Sequence, residues 1–143
     1  MTVKAILSRK GGDVVTIAPT AQLADAVKLL AERRIGAIVV TGPGERVAGI
    51  LSERDIVRVL AERGPAVLDE QVGGIMTRNV VTCTSAETVT DIMERMTARR
   101  FRHLPVVEQN KLIGIISIGD VVKRRVEEIE GESNALREYI ATA

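Results

Sequence analysis

A serine followed three residues later by an aspartate occurs twice in the chain within the same seven-residue pattern. The pattern is Gly-Ile-aliphatic-Ser-x-x-Asp, as GILSERD at residues 49–55 and as GIISIGD at residues 114–120. Each copy lies where an apolar run passes into a helical pattern, so Ser52 and Ser117 are predicted to cap helices, a position that favours phosphate. Asp55 and Asp120, one turn into the helices, are acceptors for the hydroxyl groups of a ribose.

The same spacing also fits a purely structural role. Ser-x-x-acid before an apolar run is a capping box, which needs no ligand. The capping box prefers Glu or Gln at its third helical position, however, whereas both copies have Asp, together with a glycine three residues before the serine. Such a glycine leaves room for a ligand or a neighbouring backbone. We therefore favour a binding site and keep helix capping alone as the alternative.

The two motifs belong to an internal repeat that covers most of the chain. Asp13–Thr16 recurs 66 residues later as Asn79–Thr82, and the seven-residue motif recurs 65 residues later. The segments that precede these matches also correspond, with Val3, Ile6 and Leu7 aligned to Val72, Ile75 and Met76. Only the first copy contains the three residues Lys10, Gly11 and Gly12. Two halves built on one plan are expected.

Hydrophobic periodicity predicts strand, helix, strand, strand and helix in each half. We expect an α/β (α+β) fold of two βαββα repeats, each with a three-stranded sheet opened by residues 14–17 or 80–83. A unit of about 60 residues is marginal alone, so the two should pack around a pseudo-twofold axis with ligand sites between them. The predicted boundaries are 1–69 for the first repeat with a leader helix, 70–130 for the second repeat, and 131–143 for a helical tail.

Composition excludes several classes of function. Lys and Arg number 20 against 19 Asp and Glu, which gives a net charge of +1. The charged residues are scattered along the chain, which argues against a nucleic-acid partner. Phe101 and Tyr139 are too few aromatic residues for a platform on which bases stack. Neither a membrane-spanning stretch nor a signal peptide is visible, and Cys83 is the single cysteine, so we expect a cytoplasmic protein without membrane association.

Catalysis is not indicated. His103 is the single histidine, so neither serine has the partner that nucleophilic catalysis needs twice over. Neither paired carboxylates in one pocket nor a metal cluster is predicted, and no catalytic cofactor is expected. A small nucleotide-processing enzyme is therefore the weakest of three readings, behind a nucleotide sensor and a ligand-free structural or dimerisation module.

The chain resembles paired cystathionine-β-synthase (CBS) domains, the Bateman module. The resemblance rests on the doubled Gly-x-x-Ser-x-x-Asp motif, on the Val-Val-Thr that opens each repeat, and on FRHLPVV at residues 101–107. It implies a regulatory, non-catalytic module that binds AMP, ADP, ATP, NAD(H) or S-adenosylmethionine in clefts between the repeats. It further implies a disk-like homodimer that passes the ligand state to the dimer interface or to a regulated protein.

The resemblance also assigns residues to the two sites. It places ribose binding on Asp55 and Asp120, with the adjacent hydroxyl groups on Ser52 and Ser117. Thr16 and Thr82 correspond to a wall that meets the base or the sugar. The strand that reads the adenine edge corresponds to Ala37 in the first repeat and to the backbone around Leu104 and Pro105 in the second.

The repeats differ where a phosphate is expected. Arg102 can donate two hydrogen bonds to a phosphate and His103 one more, whereas their counterparts Gly36 and Ala37 offer only backbone and space. Arg54 is the candidate cation of the first site. Our hypothesis is that one site holds a mononucleotide and the other a longer or less charged ligand, such as the dinucleotide NAD.

The C-terminal tail carries an apolar stripe at spacings of three and four residues. Its members are Val122, Val126, Ile129, Leu136 and Ile140. Such a stripe fits a helix that packs either on a partner or on the same chain. Gly131 lies within it and favours a break or bend, because glycine costs about 1 kcal/mol in a helix interior.

Overall fold

The computed structural model describes residues 1–142 and contains five α-helices and five strands within them. The helices are α1 (Val3–Lys10), α2 (Leu23–Arg33), α3 (Glu53–Arg63), α4 (Val89–Arg99) and α5 (Ile118–Thr142). The strands are β1 (Thr16–Ile17), β2 (Ala37–Thr41), β3 (Val47–Ser52), β4 (His103–Glu108) and β5 (Lys111–Ser117). The mixed α and β architecture and the division into two similar repeats are confirmed.

Helices α2 and α4 are equivalent and end in the same way, although only α4 has a side-chain cap at its start, from Thr88. Each buries one stripe: Leu23, Ala26 and Leu30 in α2, and Val89, Ile92 and Met96 in α4. Each is terminated by an arginine in the left-handed region, Arg34 at φ 53° and Arg100 at φ 59°. This turn directs the chain from the end of the helix towards the next strand, and it places both arginines near the interface between the repeats.

The prediction of a three-stranded sheet in each repeat is correct for the first repeat and wrong for the second. The first sheet has the order β1-β2-β3, with Thr16 paired to Val39 in parallel. In the second repeat β4 and β5 form a two-stranded sheet, and residues 80–83 make one isolated bridge, between Cys83 and Val106.

The difference between the sheets has a local cause. The repeat counterpart of Val39 is Pro105, and proline has no N–H with which to donate the bond that would pair it with Thr82. What remains is the bridge itself: the Cys83 N–H donates to the Pro105 carbonyl at 3.0 Å, and the Val107 N–H donates to the Cys83 carbonyl at 2.8 Å. Pairing therefore stops after one bridge.

The leader segments cross between the repeats. Val3 and Ile6 of α1 are fully buried in the hydrophobic core of the second repeat, where Ile92 and Leu104 also lie. Val72, from the segment before the second repeat, is buried in the core of the first. The sequence boundaries 1–69 and 70–130 thus remain a proposed division of the chain, and the packing crosses it in both directions.

Close packing of these leaders explains the glycines of the two motifs. A Cβ atom added at Gly49 would lie 2.5 Å from the Met76 sulfur and 2.8 Å from the Thr77 carbonyl oxygen. One added at Gly114 would lie 2.6 Å from a Leu7 methyl carbon. The open space that glycine provides is therefore taken by the chain itself.

Helix α5 joins the second motif to the tail without interruption. It runs from Ile118 to Thr142 through Gly131, so the predicted break is absent. The apolar stripe of the tail is exposed, with relative accessibilities between 41% and 65% for its five members, so it is not buried against the described part of the same chain. Within residues 1–142, none of the helices combines the length and apolar character that crossing a bilayer requires.

Candidate ligand-binding site

Two cavities lie between the repeats, and each contains one of the two motif serines. The first cavity has a volume of about 270 Å³ and the second about 300 Å³, both near the lower end of the range for small-molecule sites. Lining the first are Gly36, Ile50 and Ser52–Asp55 from the first repeat, and Thr77 and Arg100–His103 from the second. Lining the second are Lys10, Asp13–Val15 and Arg34–Ala37 from the first repeat, and His103, Ile115 and Ser117 from the second.

In the first cavity the serine and the aspartate hold each other. The Ser52 N–H donates to Asp55 Oδ2 at 2.9 Å, the Ser52 hydroxyl donates to the same oxygen at 3.0 Å, and the Asp55 N–H donates to Ser52 Oγ at 3.3 Å. Asp55 Oδ1 accepts from Arg58 Nη2 at 3.1 Å. A complete capping box therefore forms, and it also fixes a buried carboxylate at the cavity wall.

The second motif repeats two of these three serine–aspartate hydrogen bonds and adds a lysine. The Ser117 N–H donates to Asp120 Oδ2 at 2.9 Å, and the Asp120 N–H donates to Ser117 Oγ at 3.2 Å. Lys10 Nζ donates to the same Asp120 oxygen at 2.6 Å. Burial raises the pKa of Asp120, but the hydrogen bonds from Lys10 and Ser117 outweigh it and bring the pKa below its usual value. Asp120 is thus a carboxylate that already holds a cation.

Cationic side chains gather in the first cavity. Arg54, Arg100 and Arg102 all line it, together with Glu53 and Asp55. The structure thus brings Arg102 to the same cavity as Arg54, beside the first motif. Guanidinium groups donate in a planar fork that matches phosphate oxygens. The arrangement can hold a ribose at Asp55 and an anion at the arginines of the same cavity.

His103 lies between the two cavities and lines both. It begins β4, where it pairs with Ser117, and a Cβ atom added at Gly36 would lie 3.3 Å from its ring. Burial, followed by the charge of Lys10, lowers the pKa of His103 below its usual value. The ring is therefore neutral at pH 7 and can offer a phosphate one N–H rather than a positive charge.

The remaining predicted site residues fall in different places. Ala37 lines the second cavity, as the resemblance implies for a strand that meets the base. Thr16, Thr82, Pro105 and Asp120 are not among the residues that line either cavity, although Ser117 and Lys10, which bond to Asp120, line the second. Thr16 pairs with Val39 at the edge of the first sheet, and Pro105 is buried on β4 opposite Ile115.

Six charged or polar wall residues of these two cavities were not predicted as site residues: Lys10, Asp13, Arg34, Glu53, Thr77 and Arg100. A signal for the two arginines was present, because Arg33-Arg34 recurs as Arg99-Arg100 at the 66-residue offset. For Lys10 the signal was its position in the three-residue insertion. Nothing in the pattern showed which cavity each of them would reach.

Cys83 lies away from both cavities and has the character of a packing residue. It is 3% exposed in the second core, and burial raises the pKa of its thiol to about 12. A protonated thiol is a poor nucleophile. In the described residues 1–142, His, Cys, Asp and Glu side chains form no group of three or more that could hold a metal ion.

Comparison with known proteins now decides the family. The CBS domain model matches the chain twice, at residues 3–62 and 72–127. The chain belongs to the CBS domain family. The predicted tandem pair is thereby confirmed, and this CBS pair shares its fold with solved CBS domain pairs.

Three similar proteins illustrate the relationship. A mitochondrial CBS domain-containing protein of Arabidopsis thaliana, CBSX3, is 41% identical over 120 residues, which are 81% of this chain and 58% of that protein; the chain thus spans less than two thirds of its length. A CBS-domain containing protein from Agrobacterium tumefaciens is 49% identical, with a TM-score of 0.83 over 87% of this chain and 92% of that one. A CBS domain protein from Pyrobaculum aerophilum, solved in complex with AMP, is 29% identical, with a TM-score of 0.74 over 84% and 89% of the two chains.

Proposed function

We propose that this CBS pair is a non-catalytic regulatory module that binds adenosine-containing ligands in the two cavities between its repeats. The first cavity is the principal site. Asp55 receives the ribose hydroxyl groups, and Arg54, Arg100 and Arg102 receive the phosphate. AMP, ADP, ATP and NAD(H) all carry these two groups, and the AMP complex of the Pyrobaculum relative supports the ligand class.

The observation that carries the proposal is the composition of the first cavity. A carboxylate from the first repeat and guanidinium groups from the second face one cavity of about 270 Å³. A helix cap requires the local contacts of Ser52 and Asp55 and nothing from the other repeat. Bringing Arg100 and Arg102 to the same space has no purpose in capping, whereas it suits a ligand with a ribose at one end and a phosphate at the other.

Room for a longer phosphate chain lies next to the first cavity. A third cavity of about 440 Å³ shares Arg54 and Arg100–Arg102 with it and continues along Met96, Thr97 and Ile118. The second or third phosphate of ADP and ATP, or the second half of NAD, fits this direction. The second cavity, where Asp13 lies beside Lys10 and Arg34, then takes the mononucleotide with the shorter phosphate chain.

Thermal unfolding with added ligand tests the proposal. Purified protein, freed of carried-over nucleotide, is heated with AMP, ADP, ATP, NAD, NADH or S-adenosylmethionine. A ligand at 100 times its Kd adds about 2.7 kcal/mol per site, which raises the Tm of a chain of this size by roughly 5–11 °C at about 2–4 °C per kcal/mol. Asp55→Ala should lose most of the shift, and Asp25→Ala, at an exposed position in the first turn of α2, should keep it. Absence of a shift with every ligand contradicts the proposal.

A second candidate is a structural or dimerisation module without a ligand. The complete capping box at Ser52 and Asp55 favours it, because these contacts account for both side chains without a bound molecule. In that case Asp55→Ala lowers the Tm of the ligand-free protein and no nucleotide changes it.

To act as a regulator, the module must transmit its ligand-bound state to a target. Because each cavity is walled by both repeats, a bound ligand changes how they pack against each other, and we propose that a homodimer interface or a regulated protein senses this change. Sedimentation of the chain with and without AMP tests the homodimer route: a dimer whose sedimentation or dissociation constant responds to AMP supports it, and a monomer indifferent to AMP contradicts it.

A further inference from the structure

The second cavity contains a cation that the repeat itself does not supply. Lys10 belongs to the insertion of residues 10–12, which has no counterpart in the second copy. Its Nζ donates to Asp120 Oδ2 at 2.6 Å and to the Ile115 carbonyl at 3.0 Å. In the first cavity the ion-pair partner of Asp55 is Arg58, one turn along the same helix. The insertion therefore makes the two motif aspartates unequal.

The backbone holds Lys10 in this position. It is the last residue of α1, a helix whose Val3 and Ile6 are buried in the second core. The helix ends at Gly11, which has a φ of 96°, and a Cβ atom at Gly12 would lie 3.3 Å from the Ile113 carbonyl oxygen. The lysine therefore reaches Asp120 from a docked helix beside β5, and it is only 34% exposed.

The lysine and a ribose compete for the same group. Lys10 and Ser117 line the second cavity and Asp120, to which both are bonded, does not. A ribose that donates its hydroxyl hydrogens to the Asp120 carboxylate must therefore displace or pass Lys10, which already donates to one of its oxygens. A charged ammonium donor makes the stronger bond, so a neutral nucleoside gains little by replacing it. A displaced ammonium group is stabilised more by a charge-assisted bond to another anion than by a neutral acceptor. A phosphate on the ligand supplies that anion.

We propose that Lys10 determines the specificity of the second cavity: it closes Asp120 to neutral nucleosides and admits nucleosides that bring their own phosphate. This inference rests on the proposed function and adds a selection rule that applies to one of the two sites. The first cavity has no residue in the position of Lys10, so the rule does not extend to it.

Calorimetric titration with adenosine and AMP tests the rule in a chain that carries Asp55→Ala, which disables the first cavity. In this background AMP should bind at least about tenfold more tightly than adenosine, a difference of about 1.4 kcal/mol. Adding Lys10→Met should strengthen adenosine binding about tenfold and reduce the preference for AMP by at least the same factor. Lys10→Arg, which keeps the charge, should retain the preference. Lys4→Met, an exposed lysine on the same helix, is the matched control and should change nothing.

Each result decides the matter. An unchanged preference for AMP after Lys10→Met, adenosine binding that is no tighter, or no binding to the double variant overturns the rule, provided circular dichroism shows native helix content. The proposed function has a separate test: the unmodified chain should bind AMP, and the Asp55→Ala variant should bind one equivalent less. If the selection rule fails but Asp55→Ala still removes one equivalent of bound AMP, the first cavity remains a ligand site.

Discussion

The two motifs share Gly-Ile-aliphatic-Ser-x-x-Asp and two local serine–aspartate hydrogen bonds, yet their cavities have different chemistry. Asp55 is held by its own helix and faces arginines that arrive from the other repeat. Asp120 is held by Lys10, which arrives from the leader helix. The motif fixes the position of a carboxylate, and residues outside the motif decide what that carboxylate can bind.

Crossing of the leader segments explains how such differences arise. Each repeat is completed by a segment that precedes the other repeat in the chain, so a change in one leader alters one cavity and leaves the other as it was. Duplication gives two equal scaffolds, and the insertion of residues 10–12 together with Arg102 in place of Gly36 makes the sites distinct.

The largest expected effect is on the free energy of unfolding, and it tests whether the leader segments cross between the repeats. Ile6→Ala should lower the free energy of unfolding by about 2–5 kcal/mol, because Ile6 is 1% exposed in the core of the second repeat. Its repeat counterpart Ile75, only partly buried, should cost less when changed to Ala. Urea unfolding followed by circular dichroism measures both, and Ile129→Ala, on the exposed tail stripe, should stay within about 0.5 kcal/mol of the parent. A cost for Ile6→Ala as small as that of Ile129→Ala would show that α1 is not docked.

The motif glycines provide a sharper comparison. Gly49→Ala should destabilise the protein by about 1–3 kcal/mol, because the new Cβ meets the rigid Thr77 carbonyl as well as Met76. Gly114→Ala should cost less, since it meets the end of the Leu7 side chain, which can move. Urea midpoints compared at equal slope give the order. The reverse order would mean that the two leaders do not pack as described.

A binding experiment asks whether the cavities have separate phosphate sites. Arg102→Met should weaken AMP binding at the first cavity by about tenfold, or about 1.4 kcal/mol, because a charge-assisted pair is lost. The second cavity should be unaffected, since Arg102 does not line it. Arg34→Met, which alters the second cavity, is the matched control. Equal weakening of AMP binding at both sites by either variant would show that the two cavities do not have separate phosphate sites.

The smallest effect concerns the residue between the cavities. Because the pKa of His103 is lowered in the folded chain, the unfolded chain takes up a proton at higher pH. Stability should therefore fall as the pH drops through about 6.5 towards the folded-state value. Unfolding free energies of the parent and of His103→Gln, measured from pH 7.5 to 5.5, should diverge, with the parent losing more. Parallel profiles would mean that His103 is as hydrated as in the unfolded chain.

Prediction of the elements was accurate where a pattern is local. Periodicity identified α2, α4 and the β2-β3 and β4-β5 hairpins, because one buried face leaves a regular trace in the sequence. The third strand of the second repeat was wrong, since the effect of Pro105 depends on its partner across the sheet. The break at Gly131 was also wrong: a penalty of about 1 kcal/mol does not interrupt a helix of 25 residues.

The sequence by itself determined that this chain is a duplicated α+β unit with two equivalent Ser-x-x-Asp caps, because repeats and caps depend on residues close together in the chain. It also identified Arg102 and His103 as the residues that make the repeats unequal. Only the tertiary structure decided that Arg102 serves the cavity of Asp55 and that Lys10 holds Asp120. The physical reason is that both cavities lie between repeats, where each wall combines side chains distant in sequence, and pairing across such distances leaves no periodic signal.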